Sequence, residues 1–207
     1  MQEEIDVIKF KLQRVNENGE IQEKISGAVF EIESGETAFE KLYPTDVLLD
    51  SPCVYLFRSN YIKENNFKFK VGTYHEDFGL IPIIVIKANS VVSTDLYIYN
   101  YVQSTDSITR NEDYKKTIKK MEDALTQYDC MLTQIEGLSN RAKENIKIYY
   151  TNAILLKLKE LKKDDQNCFI VQIKNRKMEN NIKARNFKQI IKRIILMISI
   201  KMYVKMR

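Results

Sequence analysis

The sequence is poor in the residues that build the commonest metal and nucleophile sites. Its 207 residues include no tryptophan, one histidine (His75) and three cysteines. Cys53, Cys130 and Cys168 are odd in number and far apart, which predicts reduced cytosolic thiols and excludes a disulfide framework or a zinc knuckle. The lone histidine gives no basis for a metal site built from several histidines or for a catalytic triad, and Walker and Gly-x-Ser-x-Gly motifs are absent.

Glycine, proline and long apolar runs are also scarce. Only 6 Gly and 3 Pro occur, which excludes a collagen-like segment and a long flexible linker. The apolar run from Ile194 to Ile200 is too short for a membrane span, which needs about 20 apolar residues. No basic and apolar leader begins the chain, so no signal peptide is predicted. The composition is that of a globular protein with one domain, or one domain and an appendage.

Negative charge is scarce in the last third. Residues 141–207 carry 18 Lys and Arg against 5 Asp and Glu, whereas residues 1–140 carry 15 against 23. Two interpretations stay open for the basic third: a solvated helical surface, or contact with an anionic partner such as a membrane or nucleic acid.

The last helix is predicted to be amphipathic. Its apolar stripe has helical spacing and is flanked by Arg185, Lys188 and Lys192. Such a helix suits the plane of a membrane interface, or it packs back on the protein core. The stripe consists of Phe187, Ile190, Ile191, Ile194, Ile195, Ile198 and Met202.

The remaining periodicity predicts a mixture of strands and helices. Alternation over 7–12, with Ile8, Phe10 and Leu12 on one face, predicts a strand, and Asn18-Gly19 predicts the turn that follows. Thr109 to Glu112 has the spacing of a capping box, and residues 162–167 predict a polar break. Helices are predicted at 36–43, 54–66, 76–88, 114–135 and 141–161, and a further strand at 91–101.

The most informative segment runs from Gly72 to Pro82. It places His75 and the carboxylates of Glu76 and Asp77 at the start of a predicted apolar helix. Acidic residues in a first turn complement the helix dipole, so capping alone explains the pair. A carboxylate held rigidly at a strand-to-helix junction could also act as a general base.

A ladder of tyrosines follows that helix. Tyr97, Tyr99 and Tyr101 alternate along a predicted strand and therefore share one face. The ladder could stack on sugar rings or nucleobases, or it could simply form a half-buried strand face.

In their order, these segments resemble the acceptor-side part of a family 2 glycosyltransferase with the GT-A fold. The resemblance covers about residues 1–135. It is carried by Leu56-Phe57-Arg58, Ile62 to Phe69, Glu76-Asp77-Phe78, Ile83 to Ala88, Leu96 to Tyr101 and Ser107-Ile108-Thr109.

The resemblance implies an α/β fold. Residues 1–110 would form a partial GT-A-like mixed sheet with flanking helices, and residues 111–207 a helical extension that ends in the basic amphipathic helix. It also implies roles for residues: Asp77 as the catalytic base, Glu76 as its neighbour in the catalytic pair, and His75, Tyr99 and Tyr101 as acceptor contacts.

The resemblance further implies inverting transfer of a sugar from a nucleotide-sugar to a glycan or lipid-linked acceptor, as in bacterial surface polysaccharide synthesis. A complete family enzyme has a donor-binding half with an Asp-x-Asp motif that holds Mg²⁺ or Mn²⁺. No such motif precedes Glu76, so we expect a truncated or split enzyme and no metal ligands in this chain.

We expect a separate donor-binding half as a partner, no nucleic acid, and a cytoplasmic location with peripheral contact at the inner membrane face. The alternative is a non-catalytic transferase remnant that binds a membrane or an anionic polymer.

Overall fold

The computed structural model describes residues 4–45, 48–102, 113–183 and 187–206. Within these ranges the chain is an α/β protein with a curled mixed sheet and flanking helices, which confirms the α/β class. The five strands are β1 (Val7–Val15), β2 (Ile21–Ile25), β3 (Phe30–Glu33), β4 (Tyr55–Phe57) and β5 (Val91–Val102).

The first strand organises the sheet. One edge of β1 pairs in parallel with β5, and its other edge pairs antiparallel with β2 along one half and with β4 along the other. β3 pairs antiparallel with β5, so the main order is β2-β1-β5-β3. A parallel neighbour requires a long crossover, and the elements between β1 and β5 provide it.

The burial of β1 departs from simple alternation. The sequence places Ile8 and Leu12 on one face, but the buried residues are Val7, Lys9, Leu12 and Val15. The register with β5 shifts twice between Lys9 and Leu12, and such irregularities turn a strand relative to its partner. The ammonium of the buried Lys9 lies 5.0 Å from the ring centroid of Tyr55, where the aromatic face favours a cation.

The predicted helices at 36–43, 76–88, 114–135 and 141–161 are confirmed within one or two residues except at the end of the last. The helices are α1 (Gly35–Leu42), α2 (Ser59–Glu64), α3 (Glu76–Lys87), α4 (Tyr114–Gln134), α5 (Asn140–Lys157), α6 (Lys163–Asn175), α7 (Phe187–Ile198) and α8 (Ile200–Met206).

Two helix boundaries were predicted wrongly. The segment 54–66 is not one helix, because β4 pairs with β1 before the short α2 begins. The polar stretch 162–167 is not a break: Lys163 begins α6, and Asp164 and Asp165 occupy its first turn, where acidic side chains favour the helix dipole.

The capping box Thr109 to Glu112, the Ser107-Ile108-Thr109 segment and the expected domain boundary at 110 lie outside the described residues. The described part of α4 begins after Asp113, whose side chain accepts a hydrogen bond from the Lys115 amide at 3.0 Å.

The last predicted helix is two helices that meet at Ser199. Leu196, Ile200 and Tyr203 are buried in the core, whereas Ile194 and Ile198 are exposed. The inner face therefore packs back on the protein while an apolar outer face remains. No helix in the described ranges is both long enough and apolar enough to cross a bilayer.

Two close contacts fix α3 against its neighbours. The Gly35 amide donates to the Ala88 carbonyl at 2.8 Å, and a Cβ at Gly35 would lie 2.4 Å from the Val85 carbonyl oxygen. Only glycine lets α1 begin this close to the end of α3. The buried Asp6 carboxylate accepts from Arg58 at 2.6 Å and from the Asn89 amide at 2.8 Å, which ties β1 to the α3–β5 connection.

Candidate functional site

Glu76 and Asp77 form the first turn of α3, directly after His75. His75 has φ 55° and ψ 45°, a left-handed conformation that costs a β-carbon-bearing residue about 1–2 kcal/mol. This turn of the chain directs α3 into the core and leaves the carboxylate pair at its amino end. Glu76 is exposed and Asp77 is half-buried.

Two buried side chains of α4 hold this turn in place. The Asp123 carboxylate accepts from the Tyr74 amide at 2.9 Å and also pairs with Lys119. One helical turn later, the Gln127 Nε2 donates to the carbonyls of Tyr74 at 3.1 Å and His75 at 2.8 Å. The strained backbone before the pair is therefore supported by α4.

One side of α3 is closed by α5. We call this the closed flank: Asp77 and Phe78 with Asp50, Tyr149, Tyr150 and Lys157. The Phe78 ring packs on Tyr150 with centroids 4.5 Å apart and on Tyr149 at 5.9 Å. Both Phe78 and Tyr150 are almost fully buried.

A proline inside α3 explains one contact of the closed flank. Pro82 has no amide hydrogen and leaves the carbonyl four residues earlier, that of Phe78, without its helical partner. The Tyr150 hydroxyl donates to this carbonyl at 2.8 Å. The hydrogen bond that proline removes is replaced by a side chain from α5.

The closed flank also gathers ionisable groups with shifted pKa values. Burial raises the pKa of the Asp77 carboxyl, and the charge of Glu76 adds to the rise. Burial likewise raises the pKa of Asp50, followed by the charge of Asp77, while a hydrogen bond with the Tyr149 side chain opposes the shift. Burial lowers the pKa of Lys157. Two carboxylates and one ammonium thus share a partly dehydrated environment.

His75 lies among the same charges. Burial, and then the ammonium groups of Lys157 and Lys120, lower its pKa to about 4, although Glu76 and Asp123 act in the opposite direction. The imidazole is therefore neutral near pH 7, when it can donate one hydrogen bond and accept another.

The other side of α3 opens into a cavity of about 440 Å³. We call this the open flank: Glu76, Gly79, Leu80 and Lys87 of α3 with the facing residues of α4 and of the segment 65–70. The volume lies in the range of about 300–1,000 Å³ that small-molecule sites occupy. Asp77 is not among the lining residues, so the two carboxylates point to different flanks.

Tyr99 and Tyr101 lie on β5, opposite Leu12 and Arg14 of β1. Their rings are about two-fifths exposed, at 38% and 41%. None of the groups described above around Asp77 belongs to β5. The role of these two tyrosines as acceptor contacts stays a prediction, as do the roles of His75, Glu76 and Asp77.

Sequence reasoning missed Asp50, Tyr149 and Lys157 as neighbours of Asp77. One signal was present: Lys157 follows Ala153 and Ile154 at helical spacing, so it falls on the apolar stripe of α5. A lysine on such a stripe is buried only with a reason. Asp50 gave no comparable signal, because it lies in a turn far from Asp77 in sequence.

The metal that the resemblance implies belongs to the donor-binding half of a complete family enzyme. Among the residues that the structure describes, no group of three or more His, Cys, Asp and Glu side chains could hold a metal ion.

Two comparisons with known proteins found no match. No protein-family model matches the sequence, and no curated protein is significantly similar to it.

Proposed function

We propose that this chain is the acceptor-side part of an enzyme that transfers a sugar from a nucleotide-sugar to a glycan or lipid-linked acceptor, with inversion. The proposal rests on the resemblance to family 2 glycosyltransferases. The observation that supports it most is the half-buried Asp77 carboxylate at the rigid start of α3. Its neighbour in sequence, Glu76, lines the cavity of the open flank.

In this proposal Asp77 is the general base. It takes the proton of an acceptor hydroxyl while that oxygen attacks the anomeric carbon and the bond to the nucleoside diphosphate breaks. A base works best when its pKa approaches the working pH, and burial raises the pKa of Asp77 in that direction. Lys157 and Asp50 set the charge around the base, and Glu76 lines the cavity on the other flank.

The test uses the full chain, a panel of nucleotide-sugars, glycan and lipid-linked acceptors, and a donor-binding half supplied as a separate chain. Release of nucleoside diphosphate and mass of the acceptor product are measured. We expect transfer only when the donor-binding half is present. Asp77→Asn should reduce transfer about 10²–10⁴-fold, the usual contribution of a positioned general base.

Glu76→Gln is the matched control, since it removes the adjacent carboxylate from the exposed position. It should retain transfer within about tenfold of the unsubstituted chain, less than the loss of a general base. Near-full activity of Asp77→Asn together with loss in Glu76→Gln would reverse the assignment. Turnover of a nucleotide-sugar by the chain alone would contradict the split arrangement.

A second candidate function is binding to an anionic membrane surface, and the outer face of α7 and α8 favours it. Ile194, Ile198 and Met202 are 52%, 71% and 55% exposed, and Arg193 is exposed beside them. Residues 187–206 contain five Lys and Arg and no acidic residue. Helices with this pattern lie in the plane of an anionic interface.

Point substitutions test this candidate better than deletion, because the inner face of α7 and α8 belongs to the core. Ile194→Glu with Ile198→Glu should abolish co-sedimentation with vesicles that contain anionic lipid. Val171→Glu, at an exposed position of α6, is the control and should bind normally. Equal binding of all three proteins, or binding that ignores salt and lipid charge, would contradict the candidate.

A further inference from the structure

Gln127, a residue of the wall of the open-flank cavity, has a buried polar atom that lacks a partner among the described residues. Gln127 is 3% exposed and lines the cavity. Its Nε2 is committed to the carbonyls of Tyr74 and His75, which fixes the orientation of the amide. Its Oε1 is buried and accepts no hydrogen bond within the described part of the chain. An unpaired buried acceptor is destabilising, and the two hydrogen bonds of Nε2 hold the amide in this orientation.

Gly79 makes room for this amide. A Cβ at position 79 would lie 2.9 Å from the Gln127 Cγ and 3.1 Å from its Cδ. A side chain there would have to displace Gln127. The glycine on α3 and the glutamine on α4 therefore form one fitted wall of the cavity.

The rim of the cavity is positively charged. Lys68, Lys70 and Lys87 are exposed lining residues, and Glu76 is the acidic one. Three ammonium groups against one carboxylate favour an anion at the rim. The carboxylate of Glu76 remains available to accept from a further hydroxyl.

Phe67 and Leu80 make part of the cavity wall apolar. The Phe67 ring packs edge-on against Tyr61, with centroids 5.4 Å apart, and Leu80 lies on the facing helix. Tyr61 is in turn fixed by the hydrogen bond from its hydroxyl to the Ile84 carbonyl at 2.7 Å. A held aromatic ring suits the C–H face of a sugar.

We propose that this cavity binds a carbohydrate that carries a negative charge, either a phosphate or a carboxylate. A hydroxyl group meets Glu76, the sugar face meets Phe67, and the anionic group meets the lysines at the rim. Binding does not depend on transfer chemistry, so it is measured at equilibrium and stands or falls separately from the function of Asp77.

The experiment titrates the full ¹⁵N-labelled chain with four probes: glucose 6-phosphate, glucuronic acid, glucose and inorganic phosphate. Dissociation constants come from chemical-shift changes, which also locate the site. We expect both charged sugars to bind about tenfold more tightly than glucose, and at least one of them about tenfold more tightly than phosphate. The shifts should concentrate in residues 65–70, 76–80 and 127–134.

Lys68→Gln with Lys70→Gln should weaken binding of the charged sugars about tenfold, because each exposed ion pair contributes up to about 1 kcal/mol. Lys63→Gln removes an exposed lysine of α2 that does not line the cavity and should change binding less than about twofold. Gly79→Ala should weaken the sugar phosphate several-fold and leave inorganic phosphate unchanged. All these positions except Gly79 are exposed, and amide spectra report whether each variant is folded.

Four outcomes would overturn the inference. If glucose binds as tightly as the charged sugars, the lysines do not contribute to binding. If inorganic phosphate binds as tightly as both charged sugars, the carbohydrate does not contribute. Shifts that map to β5 rather than to the cavity, or unchanged binding in the double lysine variant, place the ligand elsewhere. The better of the two charged sugars identifies the anionic group.

Discussion

The closed and open flanks of α3 differ in how fully their polar groups are partnered. On the closed flank, even the carbonyl that Pro82 frees has a partner in the Tyr150 hydroxyl. On the open flank, Gln127 has a buried oxygen with none among the described residues, and its neighbours border a cavity. A helix held firmly along one side can present its other side to a ligand without losing its position. The arrangement supports precise placement of Asp77 and Glu76 at its end.

The largest difference between the flanks should appear in core truncations. Phe78→Ala removes a buried ring that packs on two tyrosines and should lower the free energy of unfolding by about 3–5 kcal/mol. Leu80→Ala, on the open flank, enlarges a cavity that already exists and should cost about 2 kcal/mol, at the low end for buried leucine. Urea unfolding measures both. Equal losses would mean that the open flank is packed as tightly as the closed one.

The hydrogen bond at Pro82 gives a smaller and more specific effect. Tyr150→Phe leaves the Phe78 carbonyl without a donor in a buried setting and should cost about 1–3 kcal/mol. Pro82→Ala restores the amide that can reach this carbonyl. In the Pro82→Ala background, Tyr150→Phe should therefore cost much less. A double-mutant cycle of urea unfolding measures this coupling, and purely additive effects would contradict the compensation.

The sequence predicts the features of this comparison that local interactions set. It does not predict those set by residues distant in sequence. The limits of α3 followed from local signals: a continuous apolar run with acidic residues in its first turn. Its flanks did not, because they are set by partners 52 to 72 residues away in sequence, such as Gln127 and Tyr150. The periodicity of α4 marks which side is apolar, but Gln127 lies inside that side and its bonds to Tyr74 and His75 follow from tertiary packing.

One of the two helix errors has the same cause, and the other is local. The segment 54–66 contains good helical residues, yet pairing with β1 makes Tyr55–Phe57 a strand, since tertiary context overrides weak local propensity. The polar residues 162–167 suggested a break, although Asp164 and Asp165 are well suited to a first helical turn. The carboxylate pair was found because it is local; its neighbours Asp50 and Lys157 were missed because the fold brings them there.

The smallest predicted effect concerns His75, which lies between the two flanks. Its pKa is about 4 in the folded protein and about 6.5 in an unfolded chain. Between these values the unfolded chain binds a proton that the folded chain does not, so stability falls as pH falls from about 6.5 towards 4. Lys157 and Lys120 strengthen this penalty, whereas Glu76 and Asp123 reduce it.

His75→Asn isolates the effect, because asparagine tolerates the left-handed conformation at this position and does not titrate. At pH 7.5 the variant and the unsubstituted protein should have the same free energy of unfolding within about 0.5 kcal/mol. At pH 4.5 the variant should be the more stable by about 1–2 kcal/mol, the full shift reduced for partial exposure. Asp50 and Asp77 titrate in both proteins, so the difference between the two urea midpoints reports the histidine. A difference that stays constant with pH would show that solvent reaches the imidazole freely, and the turn before α3 would then be open on both flanks.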